Sequence, residues 1–216
     1  MNAALHRPTP ESAILVYVDY VTGLDNLMTT IPARQYKNNI AAFAKLNRLF
    51  RMPTVVFGEE NEYYGTFLPE IAVVDHDVRR YGRTQISGFV PEFRDWLAQS
   101  GRTDVIIGGI SIDNCVLHTA LDLLRAGYNV FVVTDVSGTN SDLAERTAIM
   151  RMRDAGAVMT GWLAIATELG VDFASQYGDG LKEIIGTHWP ASTVGTVEDT
   201  TPDGHGMQLP AAMRDG

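Results

Sequence analysis

Three residues of different chemistry stand just behind three candidate strands. Asp19 directly follows the run Ala13 to Val18, and Arg83 follows the segment Asp77 to Tyr81. Cys115 comes soon after the run Asp104 to Ile107 and its Gly108-Gly109 end. A carboxylate, a guanidinium and a thiol are the parts for covalent thiol catalysis. The thiol must become thiolate to attack a carbonyl carbon, and a helix N-terminus favours that charge. A carboxylate whose own pKa is raised by burial can take the thiol proton. A cation between them balances the buried charges, and backbone N–H groups at the helix start can hold an oxyanion. Each residue also has a plainer reading. A lone Cys is often a small buried hydrophobe, a strand-end Asp a turn or cap residue, and an Arg part of a solvated face.

The surrounding pattern says how these residues are brought together. Ala13 to Val18 and Thr54 to Phe57 read as buried strands, with further ones at Asp77 to Tyr81 and Asp104 to Ile107. Asn129 to Thr134 and Ala157 to Thr160 complete the strand set. Apolar residues at helical spacing predict helices over Arg34 to Arg51, Phe89 to Gln99, Cys115 to Ala126 and Asp142 to Ala155, with helical pieces from Gly161 to Ile185. Gly58 to Gly65 reads as a polar, aromatic loop. Strands that alternate with helices imply right-handed crossovers and a parallel sheet covered on both faces. The ligand site of such an α/β sheet lies beyond the C-terminal ends of its strands.

Composition narrows the class further. The chain has 216 residues, 45% of them apolar and 20% charged, as expected of a globular protein. At about 150 residues per domain, one large domain is expected. It spans residues 1–189, and a tail rich in Thr, Gly, Pro and Asp over 190–216 is read as extended or disordered. Twenty-six acidic residues against 17 basic ones leave a net charge of −9, which argues against nucleic acid as a partner. No apolar run is long enough to span a bilayer. Met1 to Pro10 lacks the apolar stretch of a secretory signal, and a single cysteine forbids an internal disulfide. The expected compartment is the cytoplasm.

Four blocks, in order, resemble the isochorismatase-like cysteine hydrolase superfamily. Ile14 to Leu24 resembles its first strand with the Asp. Arg83, Ser87 and Phe89 resemble a motif of Lys followed by Ser-Ala-Phe. Gly109, Asp113, Cys115, Val116, Thr119 and Ala120 match Gly-x-x-Thr-Asp-x-Cys-Val-x-x-Thr-Ala, with Ile112 where the family has Thr. Gly127 to Gly138 resembles the strand that follows. Lys37 to Asn39, Gly138 to Asn140 and Arg151 to Ala157 are most similar to the YcaC-like branch.

The resemblance implies a doubly wound, Rossmann-like three-layer sandwich with a six-stranded parallel sheet. It makes Cys115 the nucleophile, Asp19 the general base and Arg83 the cation, with Arg80 a competing alignment. Arg83 ranks first because Ser87 and Phe89 then fall in register. Arg does not practically release its proton, so it can replace the family's Lys only as a fixed cation. The resemblance also implies a cis peptide at Ser111–Ile112, with the N–H groups of Ile112 and Cys115 forming the oxyanion hole. Tyr20, Tyr63, Tyr64, Phe67 and Phe89 are candidates for an aromatic pocket wall. Nicotinamidases of the superfamily bind metal through an Asp-x-His and a second His, but the loop from Gly58 to Gly65 contains no His. No metal or other cofactor is therefore expected.

The expected activity is hydrolysis of a C–N bond in a small amide or ureido compound, through a thioester on Cys115. Two alternatives are an isochorismatase-type vinyl ether hydrolase and a redox-sensing thiol protein without turnover. A homo-oligomer is expected from the resemblance, with a small molecule as substrate and neither nucleic acid nor membrane as partner.

Overall fold

The structure, a computed structural model, describes residues 5–189. The expected tail over 190–216 lies outside the described residues. Strand β1 (Ala13–Val18) leads through a one-turn helix α1 (Thr22–Asp25) to the long helix α2 (Ala33–Phe50). Strands β2 (Thr54–Phe57) and β3 (Val78–Tyr81) follow, then helix α3 (Pro91–Ser100). Strand β4 (Asp104–Gly109) feeds helix α4 (Cys115–Arg125), and β5 (Asn129–Val133) leads to α5 (Asp142–Asp154). The last elements are β6 (Val158–Thr160), α6 (Trp162–Gly170) and α7 (Gly178–His188).

The six strands form one sheet in the order β3-β2-β1-β4-β5-β6, and every pairing is parallel. All six residues of β1 are buried, as a strand covered on both faces must be. Alternate side chains then go to opposite layers. Leu15 and Tyr17 pack with Ile40, Phe43, Trp162 and Leu181, in the layer of α2, α6 and α7. Ile14, Val16 and Val18 pack with Phe93, Val116, Ala120 and Met152, in the layer of α3, α4 and α5. Burying side chains of this size stabilises the fold by roughly 1.5–3 kcal/mol each before chain entropy is counted.

Chain order reverses between β1 and β4, which opens the crevice where sheets of this type bind ligands. The two strands pair from Ala13 with Asp104 to Val18 with Gly109. A Cβ on Gly109 would come within 2.2 Å of Val18 O, so only glycine lets the strand ends lie this close. Helix ends observed and expected differ by at most two residues for α2 to α5, and α7 ends three residues later than expected. The one-turn helix α1 was not expected, because four residues are too few to show a helical period.

Candidate active site

Asp19 is held at the crevice by its backbone. Its N–H donates to Phe57 O, and its own carbonyl accepts from Val21 N–H. Between these bonds it takes a left-handed conformation, φ 53°, which Asp tolerates better than most residues. The chain thus breaks out of β1 and turns the carboxylate sideways over the sheet end. Gly58, at φ 126°, leaves room beside it, since a Cβ there would lie 3.5 Å from Asp19 Oδ1.

Arg83 reaches this carboxylate from the segment after β3. Its Nη1 donates to Asp19 Oδ1 at 2.7 Å and its Nη2 to Oδ2 at 2.5 Å, a two-pronged contact between nearly buried groups. Nε donates to Ile86 O at 3.3 Å and fixes the loop that carries it. That loop is tied to α4, where Gly88 N–H donates to Thr119 Oγ1, and Thr119 Oγ1 donates to Cys115 O. The Ser-Gly-Phe stretch and Thr119 therefore set the cation's position relative to the thiol. Arg80 lies elsewhere, with its guanidinium 5.2 Å from the centre of the Phe67 ring.

Cys115 opens α4, half-buried, and interacts with both Asp19 and Arg83. Burial pushes its thiol up to about 12, and the Asp19 carboxylate adds to the rise. Arg83 opposes the shift but does not cancel it, so the resting group is a thiol. The expectation that the helix start would favour thiolate in the free protein is corrected here. Desolvation and a carboxylate at hydrogen-bonding range outweigh the dipole.

All three side chains line one cleft of about 560 Å³. Tyr63 and Tyr64 line it too, as expected. The other three aromatic candidates do not. Tyr20 is fully buried and donates its hydroxyl to Val136 O at 2.9 Å. Phe67 packs into the core layer beside α2, and Phe89 packs edge-on against Phe93 and Tyr128. Aromatic type alone did not tell a core ring from a wall.

Sequence reasoning missed the apolar wall, made by Leu24, Leu27, Met28, Ile86 and Ile110. The first three lie in and just after α1, a segment too short to carry a helical period. Glu59 and Asp113 also line the cleft, and Asp113, two residues before Cys115, was visible in the motif.

The oxyanion expectation needs a second correction. Ile112 is fully buried, and its N–H donates to Gly138 O at 3.1 Å, so that donor is spent. The cis bond lies one residue earlier than expected, at Ile110–Ser111, and Ser111 rather than Ile112 lines the cleft. Not every strand-end carboxylate joins the site. Asp135, after β5, accepts from Trp162 N–H at 2.9 Å and caps α6, with burial pushing it up to about 6.

This sheet, with a thiol, a carboxylate and a guanidinium at its switch point, defines a class. Residues 15–163 match the isochorismatase domain, and the chain belongs to that family of hydrolases. It is 31% identical over 187 residues to the probable hydrolase YcaC of Escherichia coli, spanning 85% of this chain and 89% of the relative. The structure of that YcaC, described as an octameric hydrolase of unknown specificity, matches with a TM-score of 0.81 over 86% of this chain and 92% of the other. YcaC from Pseudomonas aeruginosa, solved with hexane-2,5-diol and covalent acrylamide, matches with a TM-score of 0.82 at 30% identity, covering 87% and 94% of the two chains. No helix among the described residues is long and apolar enough to cross a membrane.

Proposed function

We propose that this protein is a cysteine hydrolase that cleaves the C–N bond of a small amide or ureido compound. The observation that carries this reading is the contact of Asp19 with Arg83 beside the Cys115 thiol, inside one cleft. The covalent acrylamide of the Pseudomonas relative supports it, since acrylamide is an electrophile that a reactive thiol captures.

The geometry suits the following sequence. Asp19 takes the thiol proton as Sγ attacks the carbonyl carbon, so the carbon–sulfur bond forms while proton transfer lowers the cost of thiolate. The amide N–H of Cys115, at the helix start, and that of Ser111 stabilise the oxyanion. The intermediate then collapses, the C–N bond breaks, and Asp19 returns the proton to the leaving amine. Water attacks the thioester with Asp19 again as base, the carbon–sulfur bond breaks, and the acid leaves as Cys115 regains its proton. Arg83 stays charged throughout and keeps the carboxylate aimed. A raised thiol pKa fits this scheme, because proton transfer is coupled to attack rather than completed before it.

The test is amine release from a panel of small primary amides and ureas, with rapid acid quench and mass spectrometry of the protein. Turnover with an acyl adduct on Cys115, both absent in Cys115→Ser, is the expected result. Turnover that persists in Cys115→Ser would overturn the nucleophile assignment. The octameric E. coli relative supports a homo-oligomer here. Light scattering on the purified chain is expected to give a mass several times 23.7 kDa.

A further inference from the structure

The charges lining the cleft do not balance. Among the described residues they are Asp19, Glu59, Arg83 and Asp113, so Arg83 is the one cation there. It is committed to Asp19 through two bonds and to Ile86 O through a third. Burial opposes its charged form but Asp19 and Cys115 outweigh that, while Glu59 has no ion pair or hydrogen bond among the described residues. Glu59 Oε1 lies over Gly82, one residue before Arg83, where a Cβ would meet it at 2.1 Å. With Asp19 and Arg83 cancelling, the described residues of the cleft leave two uncompensated carboxylates and no free cation for a substrate anion.

The same cleft is lined by an aromatic pair. Tyr63 and Tyr64 meet edge to face, with ring centres 4.9 Å apart. Their loop is closed by the backbone bridge of Asn61 with Gly65, and Asn61 Oδ1 accepts from both tyrosine N–H groups. Tyr64 O accepts from Gly23 N–H, which ties the loop to the apolar wall. A cleft that combines aromatic rings with a carboxylate suits organic cations.

We propose that the cleft selects a carbonyl substrate bearing an ammonium or guanidinium group, with Glu59 as its charge partner and Tyr63 and Tyr64 as its aromatic rim. This rests on the hydrolase reading only for the identity of the reacting group. The pocket's preference for charge can be measured without turnover.

Cys115 is labelled with two methanethiosulfonates of similar size, one ending in trimethylammonium and one in sulfonate. In each, the thiolate attacks the reagent's sulfur, a mixed disulfide forms, and methanesulfinate leaves. The ratio of cation to anion rates is divided by the same ratio for free mercaptoethanol. The native protein is expected to favour the cation about tenfold, and Glu59→Gln to lower that preference about fivefold, the size of one charge contact in water. A normalised ratio of one or below, or a ratio that Glu59→Gln leaves unchanged, would overturn the proposal. Steady-state rates for 4-aminobutyramide, butyramide and succinamic acid give the second arm. They are expected to fall in that order of kcat/KM. If all three amides are inert while the labelling ratio holds, the amidase reading fails and the charge selection stands. If succinamic acid is the best substrate, the charge selection fails and the amidase reading stands.

Discussion

Asp19 and Asp104 sit at opposite ends of the same two central strands. Asp104 opens β4 and is fully buried, while Asp19 follows β1 and is 7% exposed. Asp104 accepts from Ser12 Oγ at 2.5 Å, Asn129 Nδ2 at 2.8 Å and His6 Nε2 at 2.9 Å. Neutral or weakly basic donors from three other segments saturate it, and it stitches the sheet's N-terminal edge. Among the described residues the Asp19 side chain has one hydrogen-bond donor that keeps its proton, the Arg83 guanidinium, and beside it an ionisable thiol in an open cleft. A buried carboxylate becomes structural when its acceptors are filled by donors that do not react. It becomes a candidate catalyst when a transferable proton is left beside it.

The largest effects belong to the C-terminal rim. Asp19→Asn should cut turnover a hundred- to ten-thousand-fold, the range for losing a general base. The same variant should alkylate faster than the native protein near neutral pH. Removing the carboxylate takes away one cause of the raised thiol pKa and leaves Arg83 to favour thiolate. Iodoacetamide rates on both proteins check this, and slower labelling of Asp19→Asn would break the electrostatic account. In the native protein the thiol is neutral at pH 7, so its labelling rate should climb through pH 10 without a plateau near the free-thiol value of about 8.5.

Arg83→Ala should destabilise the fold by about 3–5 kcal/mol in urea unfolding, because it strands Asp19 in a nearly buried setting. Arg83→Lys keeps the charge without the two-pronged grip, and should recover more stability than turnover. A smaller effect is expected at the other edge. Asp104→Ala should cost about 1–3 kcal/mol of stability by orphaning its donors, with kcat/KM unchanged. A loss of activity without a loss of stability there would erase the contrast. Smallest is Tyr20→Phe, which removes one buried hydrogen bond worth about 1 kcal/mol and should leave KM alone.

Periodicity made most elements legible. β1 and β2 carry the expected bounds, because short β-branched runs between breakers leave little choice. Arg83, Asp19 and Cys115 were also readable, as residues just past strand ends in an alternating chain. The pocket wall was far less so. Leu24, Leu27 and Met28 belong to a segment with no usable period, and nothing local separates exposed Tyr63 from buried Tyr20.

Amino-acid order alone was enough for the alternation of strands and helices, the candidate trio and the family likeness, since each depends on neighbours within a few positions. Tertiary structure decided the rest. It brought the Arg83 guanidinium onto Asp19 and laid that of Arg80 on Phe67. It spent the Ile112 N–H on Gly138, raised the thiol through burial beside Asp19, and gathered into the cleft two carboxylates with no ion pair among the described residues. Each of these depends on distance and solvent exclusion between segments far apart in the chain, and electrostatic energy follows those two quantities rather than position along the sequence.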